Sequence, residues 1–143
     1  MTTGSETAAS ELEALVTDLA GTGSVVFVFG TGSLTTHLVG RTSPIFRGPS
    51  DRRWWHVEHG AADSKWVLDV RLDQVEAVRF VREPSSLPSV PGESLTVRFE
   101  AADRAVLFCF LEDGEWERLR ERYGGRDHLR VVSGALIPAA AAA

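Results

Sequence analysis

A succession of short apolar segments bounded by turn-forming residues is the feature that most restricts the fold of this chain. Such segments, rich in Val, Phe, Trp and Thr, predict β-strands, and the Gly, Pro, Ser and Asp residues between them predict turns. Short connections favour an antiparallel meander, and Thr31-Gly32 is suited to a tight hairpin between the first two strands. The predicted strands are SVVFVFG, SLTTHLVG, RWWHVEH, KWVLDVRL, EAVRFVRE, SLTVRFE and AVLFCFLE, and HLRVVSGALI predicts a final strand.

Helical spacing of apolar residues occurs in two segments near the ends of the chain, ELEALVTDLA and EWERLRERYGG. Ser10 or an adjacent polar residue is suited to cap the first helix, and the Gly-Gly pair ends the second. Each helix has one apolar face, which is typical of a helix packed against a core. These faces consist of Leu12, Leu15, Val16 and Leu19 in the first helix and of Trp116, Leu119 and Tyr123 in the second. The predicted class is α+β, with one large antiparallel sheet and short N-terminal and C-terminal helices.

The 143 residues suffice for one domain with its own core. We assign this domain to residues 10–137 and expect the small polar segment 1–9 and the Ala-rich segment 138–143 to be disordered. SPIFRGPS predicts a break in regular structure, because Pro44 and Pro49 cannot donate to a β-ladder. Two strands, VVFVF and VLFCF, are apolar on both faces, so the second face needs a cover. The helices, curling of the sheet, a second subunit and a ligand are the candidates for that cover.

Charge and cysteine content narrow the class of function. Fifteen Lys and Arg residues against twenty Asp and Glu residues give a net charge of −5, which favours neither nucleic acid nor an anionic membrane as a partner. Cys109 is the only cysteine, so an intramolecular disulfide and a Cys-based zinc site are excluded, and its apolar surroundings predict a packing role. No apolar run reaches the ~20 residues that span a bilayer, and no secretory signal pattern is present, so we expect a cytoplasmic location. The sequence has no nucleophile-elbow, phosphate-loop or paired-carboxylate pattern, which favours binding over catalysis.

The order of the segments resembles the bacterial heme-utilisation proteins of the ChuX/HutX and HemS type, over roughly residues 21–114. GSVVFVFGTG and SLTTHLVG resemble the first two strands of that family after its helical start. RWWHVEHG resembles its aromatic-aromatic-Asn-Leu strand, and KWVLDVRLDQVEAVRFVREP resembles its Gly-His-Ile strand and the segment after it. GESLTVRFEAADRAVLFCFLEDG resembles the Ser-x-x-x-Phe-Phe stretch and the strand that follows.

This resemblance implies a curved antiparallel sheet, a homodimer, and heme as a ligand bound inside the cell. Some relatives built from two such units also degrade heme. TTHLVG resembles the Val-His-Glu strand of those relatives and places His37 at the matching histidine. A neutral imidazole can supply an axial bond to heme iron, so His37 is the first candidate for this ligand and His56 the second.

The segment RRWWHVEHG concentrates further candidates. His56 and His59 are three residues apart, so a regular strand places them on opposite faces and they cannot chelate one ion together. Large indole rings can cover a porphyrin face, although core packing also explains them, and guanidinium groups can pair with propionates. The candidate heme-binding residues are His37, His56, His59, Trp54, Trp55, Trp66, Arg53 and Arg79, with His37 and His56 as iron ligands.

Three functions are compatible with these features. The first is a heme-binding protein that holds or transfers a tetrapyrrole. The second is a ligand-free dimerisation or interaction module with the Trp-rich strand as interface core. The third is a heme-degrading protein that depends on an external reductant.

Overall fold

The computed structural model describes residues 10–20, 25–31, 34–40, 43–46, 54–61, 64–85, 91–102 and 105–139. For 25–46, 57–61 and 64–68, the description is of the backbone within these ranges. The described residues form two α-helices and ten β-strands, with a short 3₁₀ helix at Leu72–Gln74. In chain order the helices and strands are α1 (Glu11–Ala20), β1 (Val25–Thr31), β2 (Leu34–Gly40), β3 (Ser43–Phe46), β4 (Trp54–Ala61), β5 (Ser64–Arg71), β6 (Val75–Pro84), β7 (Glu93–Ala101), β8 (Val106–Phe110), α2 (Asp113–Arg122), β9 (His128–Val132) and β10 (Ala135–Pro138).

The strands form two antiparallel sheets. The large sheet has the order β10-β9-β6-β7-β8-β1-β2, and the small sheet has the order β3-β4-β5. The chain passes from the large sheet to the small one between β2 and β3, and it returns through the 3₁₀ helix between β5 and β6. The α+β class with antiparallel strands is confirmed, and the strands divide between two sheets where the sequence predicted one.

Two predictions of local structure were wrong. SPIFRGPS contains β3, whose Pro44 is tolerated because β3 is an edge strand and its missing N–H removes no ladder bond from a central position. HLRVVSGALI forms two strands, β9 and β10, joined by a two-residue turn at Ser133 (φ 50°) and Gly134 (φ 82°). Two successive positive φ angles are the signature of the type I′ turn that suits hairpins. β10 includes Pro138, with which the predicted tail begins, whereas residues 1–9 and 140–143 lie outside the described residues.

Helix α1 begins with a capping box. The backbone N–H of Glu13 donates to Ser10 Oγ at 3.1 Å, and the backbone N–H of Ser10 donates to Glu13 Oε2 at 3.1 Å, which satisfies two N–H groups that the helix leaves unpaired. The cap at Ser10 was predicted from the sequence. The apolar face is buried as predicted, and its residues are Leu12, Leu15, Val16 and Leu19.

The core lies on one face of the large sheet, between that sheet, the small sheet and the helices. Trp55 of β4 is fully buried, and its ring centroid lies 5.8 Å from that of Phe99 in β7. From α2, Trp116 packs edge-on against Phe80 at 6.2 Å and donates through Nε1 to the Thr96 carbonyl at 3.0 Å. The second sheet and α2 therefore cover the inner face of the large sheet.

Strand β8 shows how the outer face is covered. Leu107 and Cys109 point into the core, whereas Phe108 is half-buried on the outer face. The guanidinium of Arg98, on the adjacent strand β7, lies 4.7 Å from the Phe108 ring centroid and pairs with Glu83. A charged side chain thus covers part of the second apolar face, because guanidinium groups stack favourably on aromatic rings.

Candidate functional site

The outward face of the small sheet carries one half of the Trp-rich segment. Successive side chains of a strand alternate between faces, so the burial of Trp55 in the core places Trp54 and His56 on the opposite face of β4. Both are half-buried. This alternation separates the two tryptophans, since Trp55 contributes to packing within the chain and Trp54 borders the surface.

His56 is oriented by a carboxylate on the neighbouring strand. His56 and Asp69 lie directly opposite each other in the register of β4 and β5, and His56 Nδ1 is 2.6 Å from Asp69 Oδ1. An ionised carboxylate only accepts hydrogen bonds, so Nδ1 carries the proton. The neutral imidazole then has its lone pair on Nε2. Metal-binding histidines characteristically donate their other ring N–H to a carboxylate in this way.

A second cross-strand pair lies beside the first. Arg71 is directly opposite Trp54, and its guanidinium carbon is 5.7 Å from the indole centroid. The same guanidinium forms a fork with Asp73, from Nε to Oδ1 at 2.8 Å and from Nη2 to Oδ2 at 3.1 Å. Arg71 is also the diagonal neighbour of His56, a spacing of about 7–8 Å between strands. We refer to Trp54, His56, Asp69 and Arg71 as the β4–β5 site.

The donor set of the β4–β5 site suits a metal whose other ligands come from a macrocycle. It offers one imidazole, oriented by one carboxylate, where a bare zinc ion in a structural site takes four protein ligands. Among the residues that the structure describes, no group of three or more His, Cys, Asp or Glu side chains is arranged to hold a metal. An indole ring and a guanidinium beside the imidazole match a flat apolar ring that carries carboxylates. The residues present therefore fit heme.

His37 lies in the large sheet, whereas the β4–β5 site lies in the small sheet. It is opposite Val28 in the register of β1 and β2, and the same row continues through Phe108 and Arg98 to Arg79 in β6. Four strand spacings separate the two ends of this row, or roughly 19 Å along the sheet. His37 and Arg79, both predicted to contact the heme, are therefore not brought together.

The other residues predicted to contact heme lie in both sheets or outside the described residues. Arg79 is half-buried on the outer face of the large sheet, and its Nε donates to Glu100 Oε1 at 2.9 Å. His59 and Trp66 are opposite each other in β4 and β5, but their side chains lie outside the described part of the structure, as does that of His37. Arg53 lies outside the described residues altogether.

An open groove of about 450 Å³ lies between α2 and the large sheet. Trp116 lines it, with the guanidinium carbons of Arg82 and Arg120 at 5.2 and 5.9 Å from its ring centroid. Arg82 also pairs with three carboxylates, and Arg120 pairs with Asp127. The lining contains neither histidine nor cysteine and supplies no iron ligand.

Cys109 takes no part in a site. Its side chain is fully buried in the core, and this burial raises the pKa of the thiol well above its ordinary value. Because the thiolate is the reactive form, the thiol is protected from both metals and oxidants. The packing role predicted from the sequence is confirmed.

The sequence reasoning missed Asp69 and Asp73. Asp69 depends on register: β4 and β5 are joined by only two residues, and this short connection fixes His56 opposite Asp69. Prediction of a two-residue hairpin connection after Ala61 would have placed His56 opposite Asp69. Asp73 follows Arg71 by two residues, but nothing in the local pattern distinguishes it from other surface carboxylates.

Comparison with known proteins adds no assignment. No protein-family model matches the chain, and no curated protein matches it at a significant level. In the described part of the chain, neither helix has the length and apolar character needed to cross a membrane.

Proposed function

We propose that this protein binds heme, with His56 as the axial ligand of the iron, and that it holds or transfers the heme without altering it. The observation that carries this proposal is the hydrogen bond from His56 Nδ1 to Asp69. A neutral imidazole that donates from Nδ1 to a carboxylate has its lone pair on Nε2, which is the atom that can ligate iron. The proposal is consistent with the resemblance of the sequence to the heme-utilisation proteins.

His56 is preferred to His37 because its immediate surroundings suit the ligand. A carboxylate lies opposite His56, whereas the backbone register places Val28 opposite His37. The side chain of His56 is 21% exposed, which leaves the imidazole at the surface while most of it is held by neighbours. The order of preference drawn from the sequence is thereby reversed.

The neighbouring residues would hold the rest of the macrocycle. Trp54 offers an indole ring for apolar contact with the porphyrin, and Arg71 offers a guanidinium to a propionate. Heme when bound would supply an iron centre whose reactivity depends on the polarity of its surroundings. The contribution of the chain is to ligate, to orient and to exclude water from one side of the ring.

Titration of the purified protein with hemin tests the proposal. We expect a shifted Soret band that saturates at one equivalent, and its loss or displacement in His56→Ala. His37→Ala and His128→Ala serve as matched controls on the large sheet and should retain the wild-type spectrum. An unshifted Soret band in the wild-type protein contradicts heme binding, and loss of the band in His37→Ala alone contradicts the choice of ligand.

Addition of a reductant to the hemin complex tests whether the protein leaves the heme intact. We expect the Soret band to move on reduction of the iron and to keep its intensity. Progressive bleaching with release of iron would contradict the holding role and favour heme degradation.

A further inference from the structure

Arg71 is shared between an aromatic ring and a carboxylate of its own chain. Its guanidinium lies over Trp54 and directs two N–H groups at Asp73. We propose that Asp73 occupies the edge of Arg71 that a ligand carboxylate would take, so that binding proceeds by exchange of one carboxylate for another. This inference rests on the proposed function and concerns how the β4–β5 site selects its ligand.

The geometry of the fork supports this exchange. Two parallel N–H···O bonds between guanidinium and carboxylate are the arrangement that a propionate would reproduce. The side chains of Arg71 and Asp73 are each 40% exposed, so water screens their attraction and the pair contributes little net free energy. An ion pair of this strength keeps the Arg71 side chain in place. It can be replaced by a heme propionate, because the heme is also held by the bond between its iron and His56.

The backbone keeps Asp73 beside Arg71. Asp73 lies in the 3₁₀ helix Leu72–Gln74. Leu72, just before it, and Val75, two residues after it, are 5% and 6% exposed. Both are part of the core, so the short segment between the two sheets is anchored at each side of Asp73. Asp73 therefore competes at a high local concentration, as an intramolecular group does.

The consequence is a lower affinity for tetrapyrroles with free carboxylates than Arg71 alone would give. A hemin with esterified propionates cannot replace Asp73 and would bind through iron and ring contacts alone. Asp73 thus weakens the binding of every carboxylate-bearing tetrapyrrole, and removal of its charge should strengthen that binding selectively.

Titrations with hemin and with hemin dimethyl ester test this inference in Asp73→Asn. We expect about a two- to fivefold gain in affinity for hemin, the size of effect that an exposed ion pair permits, and no change for the diester. Asp113→Asn is the matched control, because it removes an exposed carboxylate from a different arginine, Arg82, on the large sheet. The double variant Arg71→Gln/Asp73→Asn should lose the gain.

The outcomes separate this inference from the proposed function. Hemin binding by the wild type with equal or weaker binding by Asp73→Asn overturns the exchange and leaves the heme site intact. An equal gain for the diester also overturns it, since no carboxylate would be involved. Failure of the wild type and of Asp73→Asn to bind hemin overturns both, and binding by Asp73→Asn alone overturns the proposed function of the wild-type protein.

Discussion

The rings of Trp55 and Phe99 meet between the two sheets, with centroids 5.8 Å apart and planes inclined at 56°. Trp55 comes from the small sheet and Phe99 from the large one, so this contact joins the two layers of the fold. We expect Trp55→Ala to destabilise the protein by about 3–5 kcal/mol, the usual cost of removing a large buried aromatic side chain. Urea unfolding followed by circular dichroism measures it.

Trp54→Ala is the matched control for this prediction. Trp54 is half-buried on the opposite face of the same strand, so its removal should cost far less stability and should instead weaken hemin binding. Equal losses of stability in the two variants would contradict the assignment of Trp55 to the core. A change of oligomeric state in a still-folded Trp55→Ala protein would return this residue to the interface role considered from the sequence.

Asp69→Asn should impair the orientation of the His56 imidazole while leaving the stability of the protein almost unchanged. The change keeps the shape of the side chain but replaces the ionised acceptor of His56 Nδ1. We expect hemin affinity to fall by about 10–100-fold, which is typical when the hydrogen-bond partner of a metal-binding histidine is lost. The free energy of unfolding should change by less than about 1 kcal/mol, because both side chains are partly exposed.

Asp127→Asn provides the comparison, since Asp127 is an exposed carboxylate just before β9 and is paired with Arg120 of α2. Its hemin affinity should equal that of the wild type. Unchanged affinity in Asp69→Asn would show that Asp69 has no part in ligation, even if His56 proves to be the ligand.

Tyr123 joins the two helices by donating its phenol hydrogen to Asp18 Oδ2 at 2.5 Å. Burial, followed by this hydrogen bond, raises the pKa of Tyr123 above its ordinary value of about 10. The folded state therefore holds the proton more tightly than the unfolded state. The contribution to stability is complete below about pH 10 and decreases as the pH rises towards the pKa of the folded protein.

Tyr123 is the only tyrosine, so phenolate absorbance reports its ionisation directly. We expect the midpoint in the native protein to lie above that in the urea-unfolded chain, and Asp18→Asn to lower the native midpoint. In Tyr123→Phe the alkaline loss of stability should be smaller. Coincident midpoints for the native and unfolded chains would contradict the contact with Asp18.

The turn between β9 and β10 is packed against the start of α1. Gly134 has φ +82°, and a Cβ at this position would lie 2.6 Å from Ser10 Cβ. Gly134→Ala therefore combines backbone strain with displacement of the residue that caps α1. We expect a destabilisation greater than the ~1–2 kcal/mol cost of left-handed backbone alone.

Gly92→Ala isolates the backbone effect, because Gly92 has the same φ of +82° and a Cβ there would meet nothing within 4 Å. Urea unfolding of both variants should show the larger loss in Gly134→Ala. Equal losses would mean that Ser10 moves without cost and that the cap contributes little.

The parts of the fold that depend on local patterns were predictable from the sequence. The apolar face of α1, its cap at Ser10 and the hairpin of β1 and β2 follow from spacing and turn chemistry over a few residues. The alternation that buries Trp55 while Trp54 remains near the surface also has this origin. What the sequence could not give was the division into two sheets, because that division depends on which non-adjacent strands pair.

The candidate site, like the fold, was predictable from the sequence only in part. His56 and Trp54 were recognisable as residue types suited to heme, but their grouping with Asp69 and Arg71 follows from the register of β4 and β5. The position of Arg79 across the large sheet from His37 depends on the order of five strands, which no local pattern encodes. Residue chemistry was therefore easier to predict than the contacts that combine it.

The pairing of β1 with β8 has a consequence for synthesis of the protein. Val28 pairs with Phe108. β1 therefore emerges from the ribosome about 80 residues, and β2 about 70 residues, before β8 completes their side of the sheet. Until then one edge of an apolar hairpin is exposed to other nascent chains. Contacts so distant along the chain also slow folding. The period between translation of β2 and of β8 is thus when this edge is open to pairing with another chain.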